Sequence, residues 1–181
     1  MSDDTTHAGA TPQPGGPADP RPQYRLVAQY VKDLSFESPR PPVQLPHAIQ
    51  APRIAVTVNV NAHALNAEAT VFETELSLEA RATKDEEVVF IAELLYGGVL
   101  ELTNVPNELK QPLAMVEGPR VLFPFARRVV ADVIRDGGFP PLLIEPIDFA
   151  VLYQRHLEEQ ARKRPAEAGA GKAAEPPPAA S

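Results

Sequence analysis

Cysteine is absent from the 181 residues, which removes disulfides, thiolate metal sites and a cysteine nucleophile, and fits a reducing compartment such as the cytoplasm. Long apolar runs are absent too: no stretch approaches the ~20 residues that a membrane helix needs. The N-terminal MSDDTTHAGATPQPGGPADP has neither the basic start nor the apolar centre of a signal peptide, so neither export nor membrane insertion of this chain is expected. Histidine is scarce, and His7, His47, His63 and His156 show no metal-ligand spacing with one another or with carboxylates. The glycine pairs at 15–16, 97–98 and 137–138 fit no phosphate loop or dinucleotide pattern. Neither a metal nor a cofactor is expected. Positive charge is also short, with 17 Lys and Arg against 24 Asp and Glu for a net charge of −7, a balance that disfavours nucleic acid as a partner.

What is present points to binding. From Leu122 to Tyr153 the chain reads LFPFARRVVADVIRDGGFPPLLIEPIDFAVLY, two amphipathic stretches around a Gly-Gly-Phe-Pro-Pro elbow, without one Cys, His, Ser or Thr. The first stretch carries Leu122, Phe125, Val129 and Val133 as its expected core stripe, widened by Ala126, Val130 and Ile134. Gly137 stands where a left-handed C-terminal cap is expected. A final helix is expected from about Pro146, with Phe149, Leu152, Tyr153 and Leu157 at helical spacing and fraying beyond Leu157. A separate short helix is expected over Pro106 to Val116, entered through a proline suited to a first turn.

Four strands precede these helices. Tyr24 to Phe36 is rich in β-branched and aromatic residues. In RIAVTVNVNA, Ile54, Val56, Val58 and Val60 alternate with Ala55, Thr57, Asn59 and Asn61. In the third, Phe72, Leu76 and Leu78 share one face and Glu73, Glu75 and Glu79 the other; after a turn at Lys84-Asp85-Glu86 comes EVVFIAELLYGGVLEL, apolar on both faces. A strand of that kind calls for a cover on its second face, by a helix, another subunit or a ligand. Prolines 39, 41, 42 and 46 make the link between the first two strands a stiff surface crossover. Strands followed by helices, without βαβ alternation, predict an α+β fold: a four-stranded antiparallel sheet with helices on one face. Residues 1–22 and 163–181, rich in Pro, Ala and Gly, are expected to be disordered tails flanking one domain over 23–162.

Three features stay open at this level. From Asn66 to Glu117 there are eleven Asp and Glu against three Lys and Arg, which suits either a solvated surface or a dock for a basic partner. The Ile54–Val60 row and the Phe149–Leu157 stripe suit either core or a binding groove. Glu73 and Glu75 are expected to face water together, which withholds the unequal burial that acid/base chemistry needs. Apolar residues on nearly every face exceed what one small monomer buries, implying oligomerisation, client binding or both.

Four blocks in order, YVKDLSFESP (Tyr30 to Pro39), FIAELLYGGV (Phe90 to Val99), LFPFARR (Leu122 to Arg128) and GFPPLLIEPIDFAVLY (Gly138 to Tyr153), resemble the SecB protein-export chaperones over roughly Gln23 to Leu157. The resemblance implies an ATP-independent holdase assembling as a dimer of dimers, a homotetramer to which the long helix and first strand contribute. It also implies unfolded precursor proteins as clients and the SecA translocation ATPase as the partner that receives them. The family's SecA-docking positions fall on Asp33, Glu37, Ile91 and Glu93, all matching in type. Its client groove falls on Val43 and Leu45 of the crossover, Val56 and Val58 of the second strand, and Tyr153 and Leu157 of the last helix; the crossover lacks the family's aromatics. The C-terminal tail is longer and richer in Pro and Ala than the family's SecA-contacting tail. The alternative is a dedicated SecB-like chaperone that holds one partner, such as an antitoxin.

Overall fold

The computed structural model describes residues 21–39 and 52–170; Val43 and Leu45 lie outside them. Four strands come first, β1 (Gln23–Glu37), β2 (Arg53–Ala64), β3 (Val71–Lys84) and β4 (Glu87–Thr103), followed by α1 (Asn107–Asp136) and α2 (Phe149–Ala170). The strands form one antiparallel sheet in the order β1-β4-β3-β2. The α+β architecture expected from the order of elements is the one observed.

Local chemistry accounts for the turns. Between β2 and β3, the Asn66 side chain accepts from the Thr70 and Val71 amides at 2.9 and 3.1 Å, closing the loop on itself. Between β3 and β4, Asp85 and Glu86 take φ of 50° and 66°, the left-handed pair that matches the twist of a two-residue hairpin.

Period-2 alternation then sorts the sheet into two faces. Leu76, Leu78, Ala80 and Ala82 of β3 and Phe90, Ala92, Leu94 and Tyr96 of β4 are buried together with Leu122, Phe123, Ala126, Val130 and Ile134 of α1. At Gly98 a Cβ would lie 2.5 Å from a Leu122 methyl, so the glycine is what lets the helix cross β4 this closely. A second cluster, Ala62, Phe72, Leu100, Leu102, Ala114 and Met115, seals the N-terminal half of α1 against the same face.

The helices differ from expectation in instructive ways. The short helix over Pro106 to Val116 and the longer one after it are a single 30-residue α1 that runs through Pro112, Pro119 and Pro124. An interior proline costs about 3 kcal/mol in an isolated helix. Here Ala114, Met115, Pro119, Leu122, Ala126, Val130 and Ile134 bury one side of α1 along its length, and tertiary packing overrides propensity. The buried stripe is Leu122, Ala126, Val130 and Ile134, whereas Phe125, placed in the expected core stripe, is exposed. Gly137 is right-handed with φ −70°, and the positive φ of 87° falls one residue later at Gly138. The last helix begins at Phe149 and not near Pro146, because the Asp148 carboxylate accepts the Ala150 and Val151 amides at 3.0 and 3.2 Å and so caps it. It continues to Ala170, beyond the fraying expected after Leu157, through a run of Glu, Gln, Ala, Arg and Lys that favours helix and then across Pro165 and Gly169, which do not. Phe149 meets Phe123 edge-on at 5.8 Å, which seats α2 on α1.

Candidate interaction surfaces

β2 ends the sheet, and its helix-side row is only half covered. Val58 and Val60 are partly buried against the core, while Ile54 and Val56 remain 40% and 39% exposed. Between this strand and α2 lies an open groove of about 330 Å³, walled by Val58 and Val60, floored by Met115, and bounded by Phe149, Leu152 and Tyr153, with Arg155, His156 and Glu159 along its polar rim. It holds an apolar surface beside the edge of a sheet and a charged border in contact with solvent. Val56 continues the row one pleat along, and Leu157, 45% exposed, stands one turn beyond Tyr153.

The opposite face of the sheet is organised by charge. The expectation that Glu73 and Glu75 simply face water is overturned: Tyr30 and Lys32 reach across β4 from β1 and cover them. Tyr30 donates its hydroxyl to Glu73, Lys32 lies 2.8 Å from Glu73 and 2.5 Å from Glu75, and His63 lies 3.1 Å from Glu73 on the other side. The span is possible because β4 has glycine beneath it; a Cβ at Gly97 would sit 2.9 Å from the Tyr30 ring. The Lys32 ammonium, followed for Glu73 by the Tyr30 hydroxyl, holds both carboxyls below the usual range. Those two carboxylates in turn hold Lys32 protonated well above its ordinary range, and donation to Glu73 raises Tyr30. The side chains that lie over this part of β4 thus come from its neighbour β1, which is none of the covers expected: a helix, another subunit or a ligand.

Elsewhere on this face Arg25 pairs with Glu101 and Arg81 stands 3.5 Å from Glu79. Among the described residues no cation pairs with Asp33, Glu37 or Glu93. The strand register sets Glu37 opposite Ile91 and Ser35 opposite Glu93, with Asp33 next along beside Leu95. Ser35 donates to Glu93 at 3.2 Å, and Asp33, Glu79 and Glu93 share one shallow depression. The face therefore neutralises most of its acids internally and leaves three with free charge beside half-buried Ile91.

A family model described as preprotein translocase subunit SecB matches residues 17–160. The chain is 48% identical over 157 residues to the protein-export protein SecB of Bradyrhizobium sp. (strain BTAi1), covering 87% of this chain and 93% of that one. It is 47% identical to that of Maricaulis maris, covering 86% and 91%. The chain belongs to the SecB family. Among solved structures, the SecB-like chaperone of Mycobacterium tuberculosis, in complex with a ChAD peptide from the HigA1 antitoxin, has the same fold with a TM-score of 0.57. At 17% identity it covers 68% of this chain and 90% of that one.

Of the residues expected from the resemblance, the fold brings Asp33, Glu37, Ile91 and Glu93 onto neighbouring positions of two paired strands. It brings Val58 and Tyr153 into the groove, with Val56 and Leu157 at its margins. Phe149 and Leu152, read from sequence as part of a stripe suited to core or groove, line the groove as well. Met115 and the Arg155-His156-Glu159 rim also belong to it; sequence reasoning missed them, and nothing local signals Met115. Among the described residues no group of three or more His, Cys, Asp or Glu is placed to hold a metal, and no helix is long and apolar enough to cross a membrane.

Proposed function

We propose that this SecB-family chain is an ATP-independent holdase of the cytoplasm that keeps precursor proteins unfolded for export and passes them to SecA. The observation that carries the reading is the half-covered apolar row of β2 facing α2 across an open groove. An extended chain laid there gains apolar contact without any chemical group being required. Val56, Val58, Tyr153 and Leu157, with Val43 and Leu45 of the crossover, are its proposed client contacts. Asp33, Glu37 and Glu93, free of cations, are the proposed dock for basic groups of SecA, with Ile91 adding an apolar contact. A dimer of dimers is supported by the exposed Tyr24, Val27, Val31 and Leu34 along the β1 edge and by the exposed Phe125 and Leu109 of α1, surfaces that a second and third copy would cover. The family match at 17–160 supports reading 23–162 as the working domain with flanking tails. Relatives near 48% identity are export proteins, whereas the antitoxin-bound structure stands at 17%; this favours export over service to one dedicated partner.

The test is aggregation of several unrelated denatured secretory proteins without nucleotide. The expected result is suppression of each at molar excess of chaperone, by a species of tetrameric mass in light scattering. An unchanged aggregation rate would end the holdase reading, and protection of one substrate alone would replace it with the dedicated one.

A further inference from the structure

Strand alternation alone puts Asp33 on the wrong face. Tyr30 and Lys32 stand on the outer face, so the next residue of a regular strand belongs on the helix side. The register of β1 on β4, however, jumps between Val31 and Asp33: Val31 pairs with Tyr96, and Asp33 already pairs with Leu95. Lys32 is the extra residue of a β-bulge, and the bulge turns Lys32 and Asp33 outward together. This is why Asp33 shares a depression with Glu93 while Lys32 lies on Glu73 and Glu75.

Something must hold that extra residue in place, since a one-residue slip exchanges the faces of a strand. On the far side of the bulge Phe36 is anchored on the helix side, 5.9 Å from Phe90 and 6.2 Å from Phe139. On the near side the anchor is the Tyr30–Lys32 bridge to Glu73 and Glu75 over Gly97. We propose that Lys32 is a positioning residue for the acidic dock: its ion pairs with Glu73 and Glu75 fix the bulge that presents Asp33 beside Glu93. The inference rests on the reading of Asp33 and Glu93 as docking acids. Lys32 has no need to touch the partner.

The experiment exploits a difference in sign. Lys32→Met makes the face one charge more acidic, so attraction of a basic partner by charge alone would strengthen binding, whereas displacement of Asp33 weakens it. Purified full-length chain and purified SecA are titrated, with suppression of client aggregation measured in parallel. The expected result is roughly tenfold weaker SecA binding for Lys32→Met at unchanged client protection, recovery by Lys32→Arg, and faster amide exchange at 31–34. Asp33→Asn should weaken binding comparably, and the double variant should be no weaker than Asp33→Asn alone, because the two changes remove one contact. Arg25→Met serves as a control: it removes an exposed ion pair beside the other β1 bulge, between Leu26 and Ala28, and should leave SecA binding unchanged. If Asp33→Asn weakens binding and Lys32→Met leaves it equal or tighter, the positioning role is wrong and the dock stands. Full additivity, or parallel loss of client protection, also overturns it. If Asp33→Asn has no effect, the dock itself is misassigned.

Discussion

The two faces of this sheet are built in opposite ways. On the helix side, the groove between β2 and α2 is open, and Ile54, Val56, Val58 and Val60 offer a row of similar apolar side chains, so that an extended chain displaced by two residues would find the same surface. On the outer side the acids are individually managed, with Glu73, Glu75 and Glu101 tied to cations and, among the described residues, Asp33, Glu37 and Glu93 without one. Apolar attraction is non-directional and scales with area, so a surface for many clients needs little positional definition. Charge complementarity discriminates only if each charge is held in place. On the proposed reading one sheet carries a promiscuous face and a selective one, and their independence is testable.

The largest effect should come from breaking what both faces share. Leu122 is fully buried, between the sheet at Gly98 and the rest of α1. Leu122→Ala removes its transfer energy and opens a cavity, and is expected to destabilise the fold by about 2–5 kcal/mol. Thermal unfolding should show a fall of several degrees, with client protection and SecA binding lost together above the new midpoint. Loss of one surface at temperatures where the other survives would show that α1 does not couple them.

Next in size is a separation of the two faces. Val58→Asp places a carboxylate where a client's apolar side chains must be desolvated, a change worth a few kcal/mol at such a contact, and should reduce client protection about tenfold or more while SecA binding is unchanged. Glu93→Lys reverses a charge of the proposed dock and should weaken SecA binding by a similar factor with client protection intact. Both would be measured on the same preparations by aggregation assay and titration. If either variant lost both activities equally, its residue would be serving the fold and not a surface.

The helix-side surface was largely legible in the sequence. Alternation at Ile54 to Val60 marks a one-faced strand, and the 3.6-residue spacing from Phe149 to Tyr153 marks the helix opposite. Contacts distant in sequence, such as Met115 in the groove floor, were not. Nor was the continuity of α1, since Pro112, Pro119 and Pro124 punctuate it locally while burial along its whole length holds it together. The outer face was legible as composition and not as arrangement. Nothing in Tyr-Val-Lys-Asp announces a bulge, because a strand with or without one reads alike until its partner is known. The cover that Tyr30 and Lys32 place on Glu73 and Glu75, about forty residues away in sequence, depends on Gly97 beneath it, and the outward turn of Asp33 depends on the bulge.

The smallest expected effect concerns pH, and it follows from the same bridge. Glu73 and Glu75 have folded pKa values below their unfolded ones. Their contribution to stability is therefore present above the unfolded value, about 4.3, and is lost as pH falls through the folded values. Tyr30 and Lys32 are raised, so their contribution is complete below their unfolded values near 10 and is lost as pH rises through the folded ones. The bridge should accordingly act as a plateau. The difference in melting temperature between the native chain and Lys32→Met, about a few degrees at most for a solvent-accessible network, should be constant from about pH 5 to 9 and shrink below about pH 4.5. A difference that changed steadily across the neutral range would mean that a group outside the bridge titrates with it. In that case the outer face would be a pH-dependent dock, and the contrast with the groove would extend from geometry to conditions.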